Sequence, residues 1–445
     1  MVGVAPAIHA DESRRGGVAI RLSIVLCYGV LAILLNSAGT VILQSINSLG
    51  VAKDEAALLE AFKDLPIAIV SFLVASFLPR LGYRRAMMIG LAAIALACAA
   101  MPLLPSFLMV KLLFIVTGAG FALIKVSVYS IIGLLTRTER DHASFTNMVE
   151  GMFMLGVLGG YWLFSAFIDS AGPHSQAWLG VYWVLAGFVV FVLILLAFSR
   201  LDESEAHPAW SNPVGDFMAM LRLTLRPLVL VFVISAFLSV LIEQGVGTWL
   251  PTFNNQVLNL PAAMSVQAAS IFALGLAVGR LLAALALARV DWYPVLNLCL
   301  GAMAILVLLT LPLTQGLQPS PRMTWFDAPV AAFVLPLIGV FMAPIYPAIN
   351  SALLSSLPRS EHAAMVGLIV VFSALGGTTG SLIIGQVFDA FSGQTAFYLL
   401  ILPMAMMLVS VYFFKRAIDA AGAEPRQRLP KWRSDLYAAE DSDRV

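Results

Sequence analysis

Four ionisable side chains stand in sequence apolar enough to lie in lipid. They are Lys125 in "GAGFALIKVSVYS", Glu150 in "FTNMVEGMFMLG", Glu243 in "LIEQGVGTWLP" and Arg280 in "SIFALGLAVGRLLAALAL". A charge at membrane depth costs several kcal/mol unless it is paired, hydrated or neutralised, so such residues usually face a bundle interior or a wet cavity. A carboxylate held there is a natural place to take up and release a proton, which makes Glu243 and Glu150 proton-coupling candidates. The competing reading of Glu243 is a structural hydrogen bond to a neighbouring helix, or a place near an aqueous mouth. Lys125 and Glu150 fall at similar depth on adjacent antiparallel segments, roughly 12 to 15 Å from one face at about 1.5 Å per residue, so an ion pair between them is possible, structural or switchable. An ammonium freed from that pair would favour a negatively charged solute. Arg280 either partners Glu243 or braces helices, because long basic side chains also reach carbonyls and interfaces.

Other chemistries lack their residues. Five histidines show no ligand spacing, and no H-E-x-x-H, G-x-S-x-G or G-x-x-x-x-G-K-[ST] is present, so neither an enzyme, a metal centre nor an ATPase is expected. Cys27, Cys98 and Cys299 all sit in apolar segments and read as packing residues. A net charge of +1 gives no nucleic-acid footprint.

The elements that position these groups follow from composition. Hydrophobic residues make up 60% of the 445 and charged residues 11%, and the mean hydropathy is +0.92. An all-α integral membrane protein is expected, because only helices satisfy their own backbone in lipid short of a closed barrel. Runs of about 20 apolar residues number twelve: 20–46, 62–80, 85–104, 107–135, 142–168, 177–200, 226–251, 263–287, 292–314, 328–356, 362–388 and 394–418. The first run is too long for a signal-peptide core and reads as a retained span.

With both termini cytoplasmic, inner segments hold about 20 of the 26 Lys+Arg, and outer loops hold only Lys53, Lys63, Lys111 and Arg322. The long polar stretch after residue 200 divides the spans six and six. Shifting the chain by about 220 residues superimposes "HASFTNMVEGMFMLGVLGGYWLFSAFID" on "HAAMVGLIVVFSALGGTTGSLIIGQVFD". His142 then falls on His362, Gly156 on Gly376, Gly160 on Gly380 and Asp169 on Asp389. The glycines allow close helix packing, and the histidines read as caps or interface residues. The expected organisation is a cytoplasmic segment 1–19, a six-helix bundle 20–200, a cytoplasmic linker 201–225, a second six-helix bundle 226–418 and a cytoplasmic tail 419–445.

Two parallel six-helix repeats of this kind resemble the major facilitator superfamily. "ASFLPRLGYRR" resembles a degraded copy of the superfamily's G-x-L-a-D-R-x-G-R-R loop, keeping Arg80, Gly82 and Arg84 but holding Pro79 at the aspartate position. The second half resembles, in order and spacing, the fucose/galactose/glucose proton symporter branch through Glu243, Gly247, Trp249, Gly279, Arg280, Gly376, Gly377, Gly385 and Asp389. Asn147, Glu150, Phe153 and Gly156 resemble the branch's fifth span. Acids that fucose-transporting relatives carry in spans one and four are replaced here by "LLNSAG", with Asn36 and Ser37, and by Leu123.

The resemblance implies a secondary active transporter in a cell inner membrane. It would move a small polar solute, sugar or sugar-like, by alternating access in proton-coupled symport, as a monomer without a cofactor other than the coupling ion H+. Solute-binding candidates are Lys125, Asn36, Gln44, Asn147, Gln244, Trp249, Tyr346, Asn350 and Gln386. Gating or structural candidates are Arg80, Gly82, Arg84, Arg280 and Asp389. The alternatives are a transporter or exporter of an anionic or amphiphilic metabolite through Lys125, and a solute sensor that does not transport.

Overall fold

Apolar runs of membrane length close their backbone hydrogen bonds internally, and the computed structural model is helical throughout its passes. It describes residues 5–136, 138–172, 174–199, 201, 203, 218, 222–317, 323–357 and 362–423. The first half comprises α1 (Ala5–Leu35), α2 (Ala38–Leu49), α3 (Lys53–Ala57), α4 (Leu59–Leu81), α5 (Tyr83–Leu103), α6 (Phe107–Leu135), α7 (Glu139–Ser165) and α8 (Val181–Phe198). The second comprises α9 (Pro227–Gln256), α10 (Ala262–Leu287), α11 (Trp292–Thr310), α12 (Ala331–Val334), α13 (Ile338–Met342), α14 (Ile345–Ser356), α15 (His362–Ala390), α16 (Gly393–Leu399) and α17 (Ile401–Ala423).

These make twelve passes, the architecture expected from the sequence. Pass one is α1 with α2, pass ten is α12 to α14 and pass twelve is α16 with α17. Among the described residues, eleven helical segments are long and apolar enough to cross a membrane. α4 is not among them, and three of its first six residues, Glu60, Lys63 and Asp64, are charged. Here the structure corrects the sequence reading: Lys63, counted above with the outer loops, is only 6% exposed and lies within the bundle. The tail beyond 423 and most of the 201–225 linker lie outside the described residues.

Breaks fall where local chemistry requires them. Pass one is interrupted at Asn36 and Ser37. Pass ten, with Pro336, Pro344 and Pro347, is built from short helical pieces, as expected when proline removes helix donors. Gly82 alone joins α4 to α5, at φ +87°, a conformation that L side chains rarely adopt.

The repeat is visible in the packing. α7 lies on α1, and α15 lies on α9. A Cβ at Gly156 would stand 2.3 Å from the Gly29 carbonyl oxygen, and one at Gly376 would stand 2.4 Å from that of Phe237. The equivalent glycines thus serve the same close crossing in each half.

Candidate functional site

We call the end bearing the 201–225 linker the linker face and the opposite end the far face. The two halves are joined toward the far face. α2 packs on α9, α3 and α4 pack on α15, and α7 packs on α10. Polar contacts span this seam: Thr248 Oγ1 donates to Glu60 Oε1 at 2.6 Å, Ser381 Oγ to the Ala57 carbonyl at 3.2 Å and Asn47 Nδ2 to Asn255 Oδ1 at 3.3 Å. Gln267 Nε2 donates to Ser165 Oγ at 3.1 Å, and the Ala263 N–H donates to Ser170 Oγ at 3.1 Å. Toward the linker face, by contrast, Lys125, Asn147, Glu150 and Arg280 are all exposed. The arrangement is closed at the far face.

At the inner end of the seam lies a cavity of about 70 Å³, lined by Asn36, Glu60, Lys63, Tyr161, Glu243 and Gln244 among others. That is well below the roughly 300 Å³ of a typical ligand pocket, so in this closed arrangement it holds only very small groups. Asn36 reaches it from the break in pass one, where its Nδ2 donates to the Ala32 carbonyl at 2.9 Å. Gln244 Oε1 lies 3.4 Å from Thr248 Oγ1.

Glu243 is half-buried on the cavity wall. No ion pair within 4.0 Å joins Glu243 to Arg280 among the described residues. Arg280 Nη1 points instead toward Met154 Sδ at 4.0 Å, across the halves. The Tyr346 hydroxyl lies 3.0 Å from Ser373 Oγ. Asn350 follows one helical turn later, with an Oδ1 that has no hydrogen-bond partner among the described residues.

Among the described residues, the Lys125–Glu150 ion pair that the sequence allows is not made. Glu150 Oε1 accepts from Tyr129 Oη at 2.5 Å, and Lys125 Nζ stands 5.7 Å from the centre of the Phe121 ring. Tyr129, one turn beyond Lys125, occupies the carboxylate first. Among the described residues no carboxylate lies within 4.0 Å of Lys125. Asn147 is exposed beside this group.

Several candidates stand elsewhere. Trp249 is fully buried; its Nε1 donates to the Ser381 carbonyl at 3.0 Å, and its ring lies 5.6 Å from that of Phe388. Gln44 is 3% exposed in α2, with an Nε2 that has no partner among the described residues. Gln386 and Asp389 are exposed near the far end of α15. The Arg80 and His362 side chains lie outside the described residues. Arg84 ties α5 to α8 within one half, its Nε donating to the Leu196 carbonyl at 3.1 Å and its Nη2 to that of Ala197 at 2.5 Å. Glu203 caps α5, accepting from the N–H groups of Tyr83 at 2.8 Å and Arg84 at 2.9 Å. His142 sits in the first turn of α7, where Thr138 is the cap. The three cysteines are buried and free.

The sequence reading missed Glu60, Lys63, Asp64, Tyr129 and Thr248. An i, i+3 acid–base pair opening an apolar run was the available signal for the first two.

A family profile described as the Major Facilitator Superfamily matches residues 24–377. No curated protein matches the sequence. Among solved structures, the nucleoside transporter NupG is similar at a TM-score of 0.64 and 14% identity, over 90% of this chain and 98% of that one. A D-xylose-proton symporter gives 0.63 and 15% over 89% and 97%. FucP, a transporter captured in the outward conformation, gives 0.56 and 16% over 89% and 99%. At such identities the likeness shows the shared fold, while the profile covers most of the chain. The chain therefore belongs to the Major Facilitator Superfamily, as a multi-pass membrane transporter and not an enzyme.

Proposed function

We propose that this transporter moves a small polar solute, sugar or sugar-like, by alternating access coupled to protons in symport. The observation that carries the reading is Glu243, a half-buried carboxylate on the wall of a cavity at the seam of the two halves, with Asn36 and Gln244 beside it. A cavity that changes sides changes the water around that acid, and the change can drive proton uptake and release. The similarity to structures described as a D-xylose-proton symporter and FucP supports the solute class. The excess of Lys and Arg on the linker side supports an inner-membrane orientation with both termini cytoplasmic.

Lys125 favours a second reading. An exposed ammonium with no carboxylate within 4.0 Å among the described residues, resting against Phe121, suits an anionic or amphiphilic metabolite.

A thermal-shift screen of the purified protein against neutral sugars and organic anions, at two pH values, separates the readings. Stabilisation by a neutral sugar, with a pH dependence that vanishes in Glu243→Gln, supports the first. Stabilisation by anions alone, lost in Lys125→Met, replaces it with the second.

A further inference from the structure

The start of α4 holds more negative than positive charge in a place water hardly enters. Glu60 is 1% exposed and Lys63 is 6% exposed; the Asp64 side chain is 13% exposed. Lys63 Nζ lies 2.5 Å from Glu60 Oε2 and 3.6 Å from Asp64 Oδ1, and it donates to the Leu35 carbonyl at 3.3 Å. Glu60 Oε1 also accepts from Thr248, while Oε2, which no hydrogen bond reaches among the described residues, is met by the close Lys63 ammonium. Asp64 is compensated poorly. Its contact with the ammonium is the long one, and its Oδ2 faces Gly377, where a Cβ would stand 2.7 Å away. Among the described residues no hydrogen bond reaches that oxygen.

The neighbouring elements do not balance the charge. α7 presents the neutral Tyr161, α6 presents Gly118 and α15 presents Gly377. α9 presents Thr248, Gln244 and Glu243, a further acid with no cation within 4.0 Å among the described residues. Toward the far end, Lys111 is held by Glu55 at 2.7 Å, and Lys53 sits over the Phe388 ring at 5.5 Å. Two carboxylates with one ammonium leave one uncompensated negative charge, which is costly when buried. A single proton removes it.

We propose that Glu60, Lys63 and Asp64 form a proton-binding site, occupied when the far face is closed, with Asp64 carrying the proton. The proton comes from water and returns to it, and only the carboxyl O–H bond forms and breaks. When it leaves, the cluster becomes net negative and gains by admitting water. Hydration there parts α4 from α9 and α15 and breaks the Glu60–Thr248 bond, so the far face opens. The site deepens the proton-coupled reading above, and its test needs neither solute nor gradient, so failure here stays separate from failure of solute coupling.

The test is the distance between spin labels at Leu104→Cys and Phe391→Cys, two exposed far-face positions in opposite halves, on the full chain in lipid nanodiscs. With the wild-type cluster, the short distance should dominate at about pH 5, and a longer one should grow toward about pH 9. Asp64→Asn leaves a neutral Glu60–Lys63 pair and should hold the short distance throughout. Glu60→Gln leaves a neutral Lys63–Asp64 pair and should do the same, giving a second variant should the first fold poorly. Lys63→Met removes the cation that favours the charged carboxylates and should move the transition to higher pH by about one unit or more. A wild-type distance that ignores pH would overturn the proposal. So would a full pH response in Asp64→Asn, or a response abolished by Glu243→Gln while Asp64→Asn retains it.

Discussion

Thr248 and Glu60 belong to opposite halves of the bundle, and the Thr248 hydroxyl donates to Glu60 Oε1 at 2.6 Å with both residues buried. A hydrogen bond to a charged acceptor contributes about 1.5 to 3 kcal/mol. Because the halves must part here for the far face to open, the bond stabilises only the closed arrangement. Thr248→Val should therefore shift the population toward a far-face-open state by roughly 10- to 150-fold. Accessibility of a cysteine placed at Gly39, whose added Cβ would meet the Thr248 carbonyl oxygen at 2.4 Å, is a poor probe because it wedges the seam. The spin-label pair on Leu104 and Phe391 reads the shift without that disturbance.

Glu203 accepts from the first N–H groups of α5, where a carboxylate also meets the positive end of the helix. Glu203→Ala should lower stability by about 0.5 to 2 kcal/mol, read as a fall in Tm. Solute affinity should hold, because the residue acts within the first half on the linker face.

The close helix crossings make another prediction. At Gly376 a Cβ would stand 2.4 Å from the Phe237 carbonyl oxygen, while at Gly187 nothing lies within 4 Å. Gly376→Ala should destabilise by about 1 to 3 kcal/mol. Gly187→Ala should be neutral or slightly stabilising, since alanine is the better helix former by about 1 kcal/mol. Paired melting curves of the two variants check this, and equal Tm values would show that the crossing tolerates more space than its geometry indicates.

Trp249 and Asn36 separate packing from recognition. Trp249→Phe loses the indole bond to Ser381 and should cost about 1 kcal/mol of stability, with solute affinity changed by less than about threefold. Asn36→Ala, at the cavity wall, should weaken solute binding by about tenfold or more with little change in Tm. Binding isotherms beside melting curves make the comparison.

The sequence made some of this legible for physical reasons. Glu243 and Glu150 are lone acids in long apolar runs, so their depth in lipid is fixed by counting residues. The glycine pairs at 156/160 and 376/380 betray close packing because nothing larger fits. Partner choice is different, since it depends on helix rotation, which hydropathy does not set. Counting residues sets Lys125 level with Glu150, yet Tyr129 reaches the carboxylate. Lys63 misled for a related reason: charges at the edge of an apolar run look like loop, and only packing of α4 against α9 and α15 encloses them. Trp249 carries the branch's spacing but turns into the α9–α15 interface instead of the cavity.

The most direct test of the account is proton movement driven by solute in proteoliposomes. With the stabilising sugar added outside and no imposed gradient, the account predicts that the lumen acidifies as sugar enters and that Glu243→Gln abolishes the acidification while the protein still folds. Sugar entry with no change in lumenal pH, or acidification undiminished in Glu243→Gln, would contradict it.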